Sequence, residues 1–147
     1  MTVNPRTTIL PILCAVPILM AADSSIQVPS TTVLDQELRD LSCTLSQGEF
    51  LAGPAVVASL AGRKATLDAC ASDGAALRVL WTWNGTDSAS IQVKDASSPA
   101  LSGCVEAAMQ AVPQAIEGRC EGVLLLGDPQ AAEQAAARLA TPSPGPS

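Results

Sequence analysis

Residues 76–83 (ALRVLWTW) and 88–95 (SASIQVKD) are two runs rich in β-branched and aromatic side chains, and Asn84-Gly85 lies between them. Asn-Gly flanked by such runs is the strongest short-range signal for a β-hairpin. Side chains alternate along a strand, so Leu77, Val79 and Trp81 share one face and Ala89, Ile91 and Val93 share another. A two-residue loop would pair Val79 with Ser90 and put the two apolar sets on opposite faces. An odd loop brings them together. The expectation is a three-residue loop, Trp83 to Gly85 with Gly85 left-handed, or a five-residue one.

The flanking segments supply helices. Ser98 is a good N-cap and Pro99 suits the first helical position, so a helix is expected from Pro99 to Val112, ended by Pro113. Its face toward the hairpin would carry Leu101, Cys104, Val105, Ala108 and Val112. Upstream, Pro54 opens a helix to about Ala71, with Val56, Val57, Leu60, Leu67 and Cys70 inward and Arg63, Lys64 and Asp68 outward. Gly62 weakens that helix by about 1 kcal/mol relative to alanine. Downstream, the unbroken apolar run Gly122 to Gly127 reads as an interior strand. Asp128 and Pro129 then start an alanine-rich helix to about Ala140, whose only large apolar side chain, Leu139, implies weak docking.

Ahead of this core, Asp23 to Thr31 reads as an exposed segment, extended from Ile26 to Val28 before Pro29. Thr32 to Asp35 fits a capping box that starts a short helix to about Leu41, with a strand running into Cys43 as the alternative. Ser46 to Gly53 reads as a loop. The fold class expected is α+β, a small antiparallel sheet built on the hairpin with two or three helices packed on one face. The segments are an N-terminal stretch with a short helix, 23–52, a core domain, 53–128, a C-terminal helix, 129–140, and a disordered tail, 141–147.

Residues 1–22 have the layout of a secretory signal peptide. Arg6 is followed by an uncharged apolar run, Ile9 to Met20, and then by Ala21 and Ala22, where cleavage is expected. The run is shorter than the roughly 20 residues needed to span a bilayer, and Pro11 and Pro17 interrupt it. The mature form is therefore expected to have no stable membrane span. Cys14 follows bulky Ile12 and Leu13, which argues against a lipidated cysteine.

Loss of the leader leaves Cys43, Cys70, Cys104 and Cys120, and an even count in an exported chain points to disulfides. Three connectivities are open. The positions favour Cys70 with Cys104, because Cys70 ends the helix before the hairpin and Cys104 sits on the inner face of the helix after it, and Cys43 with Cys120. There is no Cys-x-x-Cys motif, and the cysteines lack the close spacing of a metal finger.

The formal charge of −6 disfavours nucleic-acid binding, which needs a basic surface to displace counterions. The chain contains no histidine, so a Ser-His-acid group is excluded. Lys64 and Lys94 are the only lysines, and neither lies in a Ser-x-x-Lys motif. Glycine-rich phosphate cradles are missing too. Glu106, Glu117 and Glu121 are the nearest approach to a carboxylate pair, and they read more simply as solvated surface. Trp81 and Trp83 are the candidate partner contacts, Trp83 the better placed of the two. The competing reading has Trp81 filling the core against Ile91 and Trp83 sealing its edge.

The run LAGRKATLDAC (Leu60 to Cys70), then LRVLWTWNGTDSASIQVKDASSPALSGCVEAAMQAV, then GVLLLGD resembles a known family. It is similar to the carboxy-terminal domain of bacterial gliding-motility-type envelope proteins and, more distantly, to that of TonB-type energy transducers. The family's pattern is a helix ending in cysteine, a hairpin with a glycine turn, Ser-Ser before a helix bearing the second cysteine, and a final strand. Here these positions fall on Cys70, Asn84-Gly85, Ser97-Ser98 and Cys104, and the likeness runs from Gly53 to Asp128. It implies a TonB-C-terminal-like domain of the cell envelope that binds a protein partner without catalysis and without a cofactor. The Tyr-Pro element and long proline-rich spacer of the transducers are missing, so force transduction is not implied.

The leading expectation is an exported, non-enzymatic envelope interaction protein, periplasmic or secreted in a Gram-negative cell. The alternatives are an extracytoplasmic enzyme using carboxylates or a free thiol, and a secreted inhibitor or cargo protein.

Overall fold

The computed structural model describes residues 24–33, 35–85 and 88–140. The expected leader with Cys14, the tail 141–147 and the hairpin residues Thr86 and Asp87 lie outside the described residues. The fold is α+β. Five antiparallel strands, β1 (Ser24–Val33), β2 (Gln36–Gln47), β3 (Ala75–Gly85), β4 (Ala89–Lys94) and β5 (Ile116–Leu126), form one sheet in the order β1-β2-β5-β3-β4. The helices are α1 (Ala52–Leu60), α2 (Lys64–Cys70), α3 (Pro99–Ala108) and α4 (Pro129–Ala140).

The hairpin has the parity its apolar pattern requires. Val79 faces Val93, Trp81 faces Ile91 and Trp83 faces Ala89, so the longer, five-residue connection is the one used. Asn84 and Gly85 extend β3 and pair with Glu117 and Ile116 of β5, with Gly85 at φ 94°. β5 is central, as its apolar run suggests, and it begins at Ile116, well before Gly122.

Alternation divides the sheet into two faces. The inner face carries Leu38, Cys43 and Leu45 of β2, Leu77, Val79, Trp81 and Trp83 of β3, and Cys120, Leu124 and Leu126 of β5, in one cluster with Val56 and Leu60 of α1, Leu67 of α2, and Leu101 and Val105 of α3. Helix α4 lies on the outer face, where Ala132 is buried against Ala76, Val123 and Leu125 with Leu139 alongside. Its small side chains let the helix sit close to the sheet, but they bury little area.

Two helix starts follow from their capping residues. Ser98 Oγ accepts from Leu101 N at 3.1 Å and Asp128 Oδ1 accepts from Ala131 N at 2.9 Å. Other elements differ from the sequence expectation. The helix from Pro99 stops at Ala108, and Val112 falls in the following extended segment, where its carbonyl accepts from Trp83 Nε1 at 3.2 Å. Pro113 already disfavours helix at Val112, and the indole takes the freed carbonyl. The single helix expected from Pro54 to Ala71 is two, because Gly62 at φ 68° breaks the chain between α1 and α2.

The short helix expected over 32–41 is replaced by the turn into β2, with Asp35 at φ 65°. The exposed leading segment is strand β1, paired with β2 from Ser24 opposite Leu45 to Val33 opposite Gln36. Residues 24–47 thus belong to the same sheet as the core. Val33, Leu34, Leu38 and Leu41 fit helical spacing, yet β5 supplies a ladder for β2 that a helix could not use. The loop expected over 46–53 contains a 3₁₀ turn, Glu49–Leu51, and α1 starts two residues before Pro54.

Both disulfides are present. Cys43–Cys120 joins directly opposed residues of β2 and β5, and Cys70–Cys104 ties α2 to α3. Cys104 is exposed on the flank of α3 instead of lying on its inner face. Asp68 does not simply face solvent either. It accepts from Gly127 N at 3.0 Å at the end of β5 and from Lys64 Nζ at 2.7 Å. Burial works to raise its pKa, but the Lys64 and Gly127 hydrogen bonds and the Lys64 charge together outweigh burial and hold it below the usual 3.8. A lowered folded-state pKa means that the stabilisation is present above 3.8 and is lost as pH falls through the folded value. Denaturation of Asp68→Asn should accordingly show a shallower loss of stability below about pH 4 than the parent.

Candidate functional site

Helix α1 has to be apolar on its sheet side, where Ala52, Ala55, Val56, Ser59 and Leu60 are buried at helical spacing. Ser59 is satisfied there. Its hydroxyl donates to Val56 O at 2.7 Å and accepts from Trp81 Nε1 at 2.9 Å. That link fixes the roll of α1 against β3. Arg63 Nη2 donates to Gln110 Oε1 at 3.0 Å, fastening the α1–α2 junction to the segment after α3.

The opposite side of the helix carries no polar residue. Phe50 is 94% exposed, Leu51 and Val57 are each 37% exposed, and Pro54 is open to solvent beside them. From Phe50 to Gly62 the chain holds no charged residue, and its one hydroxyl, Ser59, is buried. A solvent-facing helix normally pairs an apolar stripe with a polar face, and this one does not. Phe50 is the chain's only phenylalanine, and a nearly bare aromatic ring beside further exposed apolar groups is the pattern of a contact surface.

The residues singled out in the sequence lie elsewhere. Trp81 is 1% exposed and Trp83 is 3% exposed, so neither is a surface contact. Both belong to the core, with their N–H groups taken by Ser59 and the Val112 carbonyl. The four cysteines are consumed in the two bridges. Glu106 accepts from Val93 N at 3.0 Å at the edge of β4. Glu121 pairs with Arg78 at 2.9 Å on the outer face, which is also where Glu117 is placed by alternation along β5. The three carboxylates are therefore not brought together. Among the described residues no group of three or more His, Cys, Asp or Glu side chains could hold a metal ion. No helix among them is long and apolar enough to cross a membrane.

Sequence reasoning missed the Phe50 stripe because it assigned Phe50-Leu51 to a loop and put Val56 and Val57 on one inward face. The usable signal was the long absence of charge. No protein-family model matches this chain, and no curated protein or solved structure matches it either.

Proposed function

We propose that this chain is an exported, disulfide-locked interaction protein of the cell envelope that acts by binding another protein and not by catalysis. The observation that carries this reading is Phe50, 94% exposed at the head of a helix whose outer side has no charge. Phe50, Pro54 and Val57 recur at the spacing of anchors that a helix offers to an apolar groove on a partner. A protein groove suits this stripe better than an anionic lipid surface, because the chain's formal charge of −6 works against approach to such a membrane. The leader-like residues 1–22 and the two disulfides support maturation in an oxidising compartment, the periplasm or the medium. The TonB-like resemblance supports the same class of role, a detached envelope domain.

The test compares immobilised mature protein with its Phe50→Ser variant for what each retains from envelope extract. A partner held by the parent should bind the variant at least about thirtyfold more weakly, as for a central aromatic anchor. Stability should change by less than about 0.5 kcal/mol, since the ring makes so little contact within the fold. Identical retention by the two proteins, or recovery of the chain untrimmed and reduced from cytosol, would defeat the reading.

A further inference from the structure

The sheet has two edges, and the chain treats them differently. β4 is six residues long and ends at Lys94, next to Asp95, and Glu106 from α3 takes its Val93 N–H. Short length, charge and a covering side chain are the devices that stop an edge from pairing with another chain. β1 is ten residues long, SSIQVPSTTV, and contains no charge at all. It is mostly exposed, and Ile26 on it is 38% exposed. Its Ser30 Oγ accepts from Arg39 Nη1 at 3.1 Å, and as the end strand of the sheet order it has no strand partner on its outward side among the described residues.

We propose that the occupant of this edge is a second copy of the chain, paired antiparallel through β1 about a two-fold axis to make one continuous ten-stranded sheet. The argument is electrostatic and geometric. Two copies of a chain with formal charge −6 repel each other over most approaches, whereas β1 against β1 sets only uncharged side chains opposite one another in every register. An antiparallel pairing of identical strands is self-complementary, so it closes after two copies instead of growing into a filament. Pro29 lacks an N–H and removes one donor from the ladder, a loss that vanishes if it lies at a position whose bonds are not used. The second β1 would also cover the exposed flank of Ile26. The Phe50 stripe is not required, since it lies on the 3₁₀ turn and α1 and not on β1.

The test is the mass of mature, oxidised protein by sedimentation equilibrium over a wide concentration range, for the parent, for Gln27→Lys with Thr32→Lys, and for Phe50→Ser. Gln27 and Thr32 are exposed, so the lysine variant should keep the parent's circular dichroism. The expected result is a parent dimer, a lysine variant dissociating at least about tenfold more readily, and a Phe50→Ser variant that dimerises like the parent. Amide exchange in β1 should also slow as the parent concentration rises. A parent that stays monomeric overturns the proposal. So does a dimer that survives the lysines, or one dissolved by Phe50→Ser, which would place the contact on the stripe instead.

Discussion

Replacing Cys43 and Cys120 together by alanine is expected to lower the unfolding free energy by about 4.5 kcal/mol, the chain-entropy value for closing so long a loop. The bridge spans 77 residues, against 34 for Cys70–Cys104, whose loss should cost about 3.8 kcal/mol by the same reasoning. Both Cys43 and Cys120 are buried at the centre of the sheet, so the methyl groups left behind also forfeit packing. Against a total stability of about 5–15 kcal/mol this is a large fraction, and the midpoint should fall by upward of about 10 °C. Urea and thermal denaturation of the two double variants measure the ranking. Thiol titration of the denatured, unreduced parent should find none of the four cysteines free. A smaller loss for the Cys43–Cys120 pair than for Cys70–Cys104 would show that the unfolded chain is not what the longer bridge restrains.

The second large effect concerns Trp81. Truncating it to alanine should cost about 3–5 kcal/mol, because the ring is 1% exposed and has the helices of the inner layer packed over it. The hydrogen bond to Ser59 is separable from the volume. Ser59→Ala leaves the indole N–H buried without an acceptor and should cost about 1–3 kcal/mol. Trp81→Phe removes that donor while retaining an aromatic ring, so the double variant Trp81→Phe with Ser59→Ala should show less than the sum of the two singles. Additivity would mean that the 2.9 Å contact contributes nothing to holding α1 in place.

Much of the architecture around the hairpin was legible in the residues because the signals there are local. Parity alone excluded a two-residue loop, and Val79 does face Val93. Ser98 and Asp128 announce α3 and α4 through side chains that act within three residues of themselves. The amino-terminal strands were not legible in this way. Val33, Leu34, Leu38 and Leu41 satisfy a helical period as well as a strand, and the deciding partner, β5, lies far along the chain. The end of α3 also involves a contact from outside the helix, the Trp83 indole reaching Val112. The Phe50 stripe was hidden for a related reason. Val56 and Val57 are adjacent and equally apolar, and it is the packing of α1 on the sheet that leaves the first 2% exposed and the second 37%. The tryptophans show the converse. Residue type left them open to either role, contact or core, and burial assigned them to the core.

The strand order also sets a timetable for a chain delivered amino end first. β2 and β3 are both waiting for the same neighbour, β5, which arrives last of the strands, so the two halves of the sheet stay apart until residues 116–126 come through. The sulfur atoms are caught in the same delay. Of the four bridged cysteines Cys43 emerges first, and the next is Cys70, whose native partner is Cys104. Oxidation in order of appearance would join a non-native pair, and a chain oxidised that way would need thiol–disulfide exchange to reach the nested pattern.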